Sequence, residues 1–165
     1  MTHTSTHRVR RVAGMVSTDD IIPARYKHMH TDPELLAPHL FEAHLPGFVD
    51  TLEPGDALVS DSVFGIGSSR EQAVSTLLAN GIGLVIAPRF GRILFRNCWN
   101  LALPAIETDT DRLVEGMTIS LDLGRGEIRC EGTTLSTFAK PPPLLLEMIS
   151  QGGLLSRVKS RVSGE

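Results

Sequence analysis

The most regular pattern of apolar and polar positions lies in the middle of the chain. Short apolar runs at residues 57 to 63 and 83 to 88 alternate with two stretches in which apolar residues recur every three or four positions. These stretches run from residue 68 to the Asn80-Gly81 stop signal and from residue 90 to about 101. Short runs of this kind are typical of buried strands, and the longer spacing is typical of helices. With the following AIET run, the order strand, helix, strand, helix, strand predicts parallel strands joined by crossover helices.

The segments on either side of this pattern differ from it. The stretch RVRRVAGMV predicts a first strand, and the proline-interrupted region from 27 to 56 predicts short helical turns around a loop. Residues 117 to 132 alternate around Gly124-Arg125-Gly126, which predicts a β-hairpin. After Pro141 to Pro143, the sequence predicts one or two closing helices with a break at Gly152-Gly153. These elements together predict a mixed α/β domain.

Composition narrows the class of protein. A chain of 165 residues with a mean hydropathy near zero is the size of one domain and can bury a core without a disulfide or metal. Its net charge of -3 comes from well-mixed charges, which disfavours nucleic acid and anionic membranes as partners. The chain lacks an apolar run of about 20 residues and a signal-like N-terminus, so we expect a cytoplasmic protein. Two distant cysteines fit a reducing compartment.

The stretch GIGSSREQA, residues 65 to 73, leads directly into the most regular predicted helix. Ser68 precedes Glu71 by three positions and Ser69 precedes Gln72 by three, so both pairs match the capping-box pattern. Capping alone accounts for the serines. It does not account for the two glycines or for Arg70, which leaves room for a second function at this turn.

A strand that turns through glycines into a helix presents unpaired N–H groups at the positive end of the helix dipole. Arg70 adds a guanidinium that can hold a carboxylate by two parallel hydrogen bonds, so the turn suits a carboxylate or phosphate. The same donors can stabilise a serine alkoxide, which allows a serine to act as a base. Nucleotide loops and a serine hydrolase fit poorly, since GIGSSRE matches neither nucleotide motif and all histidines lie before position 45.

Three stretches, STDDIIPARY, FGIGSSREQA and FGRILFRNCWNLALP, occur in an order and spacing that resemble the small subunit of the isopropylmalate isomerase and homoaconitase branch of the aconitase superfamily. The likeness covers residues 9 to 155. It implies a swivelling β/β/α domain of the α/β class, in which helices flank a mixed sheet. It also implies that residues 1 to 165 form a single domain.

The resemblance also implies a partner and a cofactor outside this chain. In this family the small subunit pairs with a separate large subunit that carries a [4Fe-4S] cluster. Such a cluster needs three or four closely spaced cysteines, so we expect this chain to hold no cofactor and no metal. Cys98 reads as a buried structural thiol. Stoichiometry and self-association of the isolated chain are left open by the sequence.

The implied reaction moves a hydroxyl between adjacent carbons of a hydroxy-dicarboxylate or tricarboxylate through an alkene. By position in the motifs, Ser68 matches the base that removes a proton from the carbon beside a carboxylate. Ser69 and Arg70 match residues that bind a substrate carboxylate. Asp19, in STDDII, matches a second catalytic residue at the edge of the site, where it orients a histidine of the partner.

The segment that reads the variable group of the substrate begins with Arg25 and Tyr26 and continues through Lys27 and His28. Lys27 and His28 are polar where an apolar reader is expected for isopropylmalate. The resemblance implies an isopropylmalate dehydratase of leucine biosynthesis, and this polarity leaves homoaconitate and methylated malates open as alternative substrates. A non-catalytic carboxylate-binding assembly module on the same fold is the alternative from another class.

Overall fold

The computed structural model describes residues 3–68 and 71–164, and for Lys27 the backbone alone. The strands in this part of the chain are β1 (Thr4–Val12), β2 (Val16–Ser17), β3 (Ala57–Ser60), β4 (Val63–Ile66), β5 (Leu84–Ala87), β6 (Arg89–Phe90), β7 (Ala105–Glu107), β8 (Thr118–Asp122), β9 (Glu127–Cys130) and β10 (Thr133–Thr137). The helices are α1 (Thr18–Ile21), α2 (Pro33–Leu36), α3 (Glu71–Ala79), α4 (Arg92–Asn100), α5 (Pro143–Ser150) and α6 (Leu154–Ser163).

The larger sheet has seven strands in the order β10-β9-β8-β1-β3-β5-β7. Strands β1, β3, β5 and β7 pair in parallel, and β8, β9 and β10 continue the sheet in antiparallel pairs. All four residues of β3 and of β5 are buried, which is the pattern of parallel strands covered on both faces. The predicted parallel centre and mixed sheet are therefore confirmed.

The two ends of this sheet approach each other. The hydroxyl of Thr108, directly after β7, donates to the carbonyl of Thr137 in β10 at 2.9 Å and lies against the hydroxyl of Ser136. Ser136 in turn donates to the carbonyl of Asp109 at 3.2 Å. The sheet is therefore curled, so that a side chain directly after edge strand β7 reaches the opposite edge strand, β10.

A second, three-stranded sheet of order β2-β4-β6 is parallel throughout. The sequence pattern predicted one strand over residues 57 to 63, and the structure corrects this to two strands in different sheets. The chain leaves the larger sheet at Asp61, whose carboxylate accepts a hydrogen bond from the Gly14 amide at 2.8 Å. Side-chain spacing alone does not reveal this break, because only three polar residues separate the apolar Val59 and Val63.

Other predicted elements are found with shifted ends. The helix expected from residue 90 begins at Arg92, because Arg89 and Phe90 pair with β4. Strand β10 was not predicted, whereas the β8–β9 hairpin and two closing helices separated at Gly152 and Gly153 are confirmed. The irregular region forms α2 and two short 3₁₀ turns, Ala37–His39 and Phe48–Thr51, and a third 3₁₀ turn, Ala24–His28, leads into it. In the described part of the chain, no helix has the length and apolar character needed to cross a bilayer.

Strand β4 packs tightly against helix α4. Gly65 has a φ of 83°, and a Cβ built on it would lie 2.0 Å from Cδ2 of Leu94, which is buried. A side chain at residue 65 would therefore be both conformationally strained and sterically excluded. This contact fixes the spacing between the small sheet and the helix that follows it.

We expect Gly65→Ala to destabilise the protein more than Gly14→Ala. Gly14 has a similar φ of 78° but no atom within 4 Å of an added Cβ, so it isolates the conformational cost of about 1–2 kcal/mol. The collision with Leu94 should add roughly 1–3 kcal/mol at residue 65. Urea unfolding of both variants measures the difference, and equal losses would contradict the close packing.

Candidate active site

Two parallel strands bring Asp19 and Ser68 to one edge of the small sheet. Ser17 of β2 aligns with Ile66 of β4, so the residues that follow these strands are neighbours. A Cβ built on Gly67, which has a φ of 123°, would lie 2.9 Å from Oγ1 of Thr18. Asp19 and Ser68 are both exposed. The structure therefore places these predicted catalytic residues at the same edge.

The two aspartates of STDDII differ in environment. Asp20 completes a capping box, since its carboxylate accepts from the Ser17 amide at 2.8 Å and its amide donates to the Ser17 hydroxyl at 3.1 Å. The capping explanation for this motif thus applies to Asp20. Asp19 lies one position earlier in the first turn of α1, outside the capping box, with its side chain exposed.

The turn from β4 to α3 carries the serine motif. Ser68 is exposed two positions after the end of β4, and α3 is described from Glu71 to Ala79. Ser69 and Arg70 lie outside the described residues, so their predicted roles in carboxylate binding stay predictions. An exposed Ser68 three positions before Glu71, where the described helix begins, is consistent with a base near the positive end of a helix dipole.

Arg25 and Tyr26 bind a carboxylate that the sequence did not single out. The Tyr26 hydroxyl donates to Oε2 of Glu42 at 2.7 Å, and the Arg25 guanidinium donates to the same oxygen at 2.9 Å. The hydrogen bond from Tyr26 is the main cause of a lowered pKa of Glu42. The hydrogen bond and charge of His39 and the charge of Arg25 lower this pKa further. Glu42 is therefore ionised at neutral pH and holds the start of the predicted substrate-reading segment.

The segment after Tyr26 approaches the first turns of α3. His28 is exposed, and the Met29 side chain is 63% exposed. An open cleft of about 470 Å³ follows, lined by Thr31, Pro33, Glu71, Gln72 and Ser75. Because these residues are distant in sequence, no local signal identified Thr31 or Ser75, and the sequence marked Gln72 only as a capping residue. The cleft thus places Thr31 and Pro33, which follow the predicted reading segment, beside the first turns of α3.

The cysteines do not fit an iron–sulfur cluster. Cys98 is fully buried in α4, and burial raises the pKa of its thiol to about 12. Cys130 lies at the end of β9 and is half-buried. Among residues 3–68 and 71–164, no group of three or more His, Cys, Asp or Glu side chains is arranged to hold a metal ion. The donor set of this chain is therefore unsuited to such a cluster.

Comparison with known proteins places this geometry in a family. A family model described as the aconitase C-terminal domain matches residues 46–111. The 3-isopropylmalate dehydratase small subunit of Aliarcobacter butzleri is 40% identical over 163 residues, covering 97% of each chain. The 3-isopropylmalate dehydratase small subunit 2 of Archaeoglobus fulgidus is 39% identical over 145 residues, covering 87% of this chain and 88% of that protein.

Solved structures agree with this placement. The crystal structure of 3-isopropylmalate dehydratase from Methanocaldococcus jannaschii superposes with a TM-score of 0.86 at 35% identity, covering 96% of this chain and 95% of the other. Aconitase X from Thermococcus kodakaraensis, at 16% identity and a TM-score of 0.53, shares the fold. The fold is thus that of the small, swivel-type domain of the aconitase superfamily. Within it, the chain belongs to the family of 3-isopropylmalate dehydratase small subunits.

We expect the two cysteines to differ sharply in alkylation. At pH 8 on the order of one Cys98 side chain in ten thousand carries the reactive thiolate, and burial blocks access to it. Iodoacetamide should therefore label Cys130 of the folded protein and label Cys98 only after unfolding. Peptide mass spectrometry measures both sites, and rapid labelling of Cys98 in the folded chain would contradict its burial.

Proposed function

We propose that this chain is the small subunit of a two-chain hydro-lyase that isomerises 3-isopropylmalate in leucine biosynthesis and turns over only with its large subunit. The observation that carries the proposal is the exposed Ser68 at the β4–α3 turn, beside exposed Asp19, in a chain that matches the named relatives over nearly its whole length. The iron–sulfur cluster belongs to the large subunit in this proposal, because the cysteines here do not suit it.

Ser68 accepts the proton in the proposed reaction. The C–H bond beside a substrate carboxylate breaks, its electron pair forms the alkene, and the hydroxyl on the neighbouring carbon leaves. Readdition of water with the opposite regiochemistry completes the isomerisation. A serine is a weak base unless its alkoxide is stabilised, and the leading amides of α3 together with Arg70 supply that stabilisation. In this proposal, this chain removes the proton and binds the substrate carboxylate. The partner subunit assists the departure of the hydroxyl.

Asp19 and the reading segment have separate roles in this proposal. The Asp19 carboxylate, exposed at the edge of the small sheet, orients a group of the partner subunit. The segment that begins with residues 25 to 28 continues to Thr31 at the cleft beside α3, and in this proposal that segment contacts the variable group of the substrate. Met29, largely exposed in the same segment, offers the apolar surface that an isopropyl group requires.

A second candidate follows from the polarity of the same region. His28 is exposed, and Thr31, Gln72 and Ser75 line the cleft, so a substrate with a polar variable group also fits. Homoaconitate carries such a group, and methylated malates are small enough to enter. The non-catalytic alternative is a carboxylate-binding module that requires no partner.

Replacing Ser68 by alanine should lower kcat of the reconstituted two-chain enzyme by at least about 10²–10⁴-fold, the usual contribution of a general base. KM and complex assembly should change little, because the hydroxyl acts in the chemical step. Absorbance of the unsaturated intermediate follows the rate. Ser62→Ala at the opposite end of β4 is the matched control. A Ser68→Ala enzyme with near-normal rates would remove serine as the base.

The isolated chain should be inactive and should bind hydroxy-dicarboxylates only weakly, because it supplies half of the proposed site. Calorimetry of the chain alone should detect no micromolar binding, whereas mixing with the large subunit should produce turnover. A panel of isopropylmalate, homoaconitate and methylated malates identifies the substrate by kcat/KM. Micromolar capture without a partner, and no turnover with one, would favour the binding module.

A further inference from the structure

The carboxylate of Glu42 contacts three side chains, two of which belong to the start of the reading segment. Arg25 Nη2 also donates to the Tyr26 hydroxyl at 3.1 Å, and Nδ1 of His39 lies 3.4 Å from Oε1 of Glu42. The rings of Tyr26 and His39 stack with centroids 3.9 Å apart and an angle of 18°. These four residues, Arg25, Tyr26, His39 and Glu42, are called the Glu42 cluster below.

The backbone around Glu42 is held in an unusual conformation. Phe41 has a φ of 53°, a left-handed value that is rare for a bulky residue. Its side chain is fully buried and meets Phe48 edge-on, with ring centroids 5.8 Å apart. Its amide donates to the carbonyl of Ile21 at 2.9 Å. Core packing thus fixes the direction in which the chain presents the neighbouring Glu42.

The cluster occupies the Tyr26 hydroxyl and one terminal nitrogen, Nη2, of Arg25. The Tyr26 side chain is largely buried and its hydroxyl is bound to Glu42, while the charge of Arg25 is balanced by the same carboxylate. Tyr26 is therefore better suited to anchoring the segment than to touching a substrate, and the largely exposed Arg25 adds one ion pair to this anchor. The amides of Met29 and His30 both donate to the Tyr26 carbonyl at 3.1 Å, so the exposed part of the segment depends on where Tyr26 is held.

We propose that Glu42 is a positioning residue for substrate recognition: through Tyr26 and Arg25 it fixes residues 28 to 31 against the first turns of α3. This inference rests on the proposed function, because it assigns the reading of the variable group to that segment. The carboxylate itself does not contact the substrate. Its removal should loosen the reading segment and leave the proton-transfer chemistry at Ser68 intact.

The test compares Glu42→Ala, Glu42→Gln and Tyr26→Phe in the reconstituted two-chain enzyme. Glu42→Ala should raise KM for the preferred substrate about tenfold while kcat changes less than about threefold. The ratio of kcat/KM between isopropylmalate and a methylated malate should fall as well. Glu42→Gln should restore part of the loss, since its amide oxygen still accepts from Tyr26, and Tyr26→Phe should reproduce part of it.

Glu147→Gln is the matched control, because Glu147 is also partly exposed and accepts from an arginine, Arg157, at 3.1 Å. It should leave KM, kcat and the substrate ratio unchanged. A merely structural Glu42 would lower the melting temperature and scale the rates for all substrates equally. That result, or a loss in kcat at constant KM, would overturn the proposal.

Hydrogen exchange gives a readout that needs no activity. The amides of Met29 and His30 should exchange at least about tenfold faster in Glu42→Ala than in wild type. Their exchange rates should be the same in Glu147→Gln as in wild type. Unchanged protection in Glu42→Ala would overturn the positioning role. If the wild-type complex turned over none of the substrates, the proposed function would fall, and the exchange measurement alone would still decide whether Glu42 fixes the segment.

Discussion

The candidate site depends on how closely the β4 turn approaches its neighbours. A Cβ on Gly65 would collide with Leu94, and a Cβ on Gly67 would crowd Thr18 at the start of α1. On the other side, a Cβ on Gly91 would lie 2.2 Å from the carbonyl oxygen of Gly65. Three parallel strands can therefore end side by side and lead directly into helices. This packing brings Asp19 and Ser68 to one edge.

The edge is useful because its strands are parallel. Their carboxyl ends point the same way, so the segments that follow β2 and β4 meet without any long-range loop. Capping in the first turn of α1 is supplied by Asp20, and the exposed Asp19 lies beside it. The candidate site lies where strands lead toward the starts of helices, where carboxylates and anions are favoured.

Local sequence patterns predicted much of this arrangement. The spacing of Ala73, Val74 and Leu77 located α3, and all three are buried as that spacing requires. The motif around Ser68 located the turn, and the resemblance located Asp19. These features could be predicted from the sequence because each depends on residues that are close together along the chain.

Features that depend on distant residues could not be predicted. The split of residues 57 to 63 into two sheets rests on Asp61 binding the Gly14 amide, 47 residues away. Glu42 lies sixteen residues from Tyr26 in an irregular segment, and its position follows from the left-handed backbone at Phe41. No periodicity marks such a residue. The contact between Glu42 and the predicted reading segment was therefore found by the structure, whereas residues 25 to 28 and the serine turn had been indicated by motifs.

The central claim is that the substrate carboxylate binds at the start of α3, with its acidic carbon facing Ser68. A structure of the two-chain complex with a bound hydroxy-dicarboxylate tests it most directly. The account predicts a substrate carboxylate on the leading amides of α3, and the Ser68 hydroxyl within hydrogen-bond reach, about 3 Å, of the carbon-bound proton it removes. A substrate bound away from this turn, with Ser68 facing solvent or the partner's backbone, would contradict it.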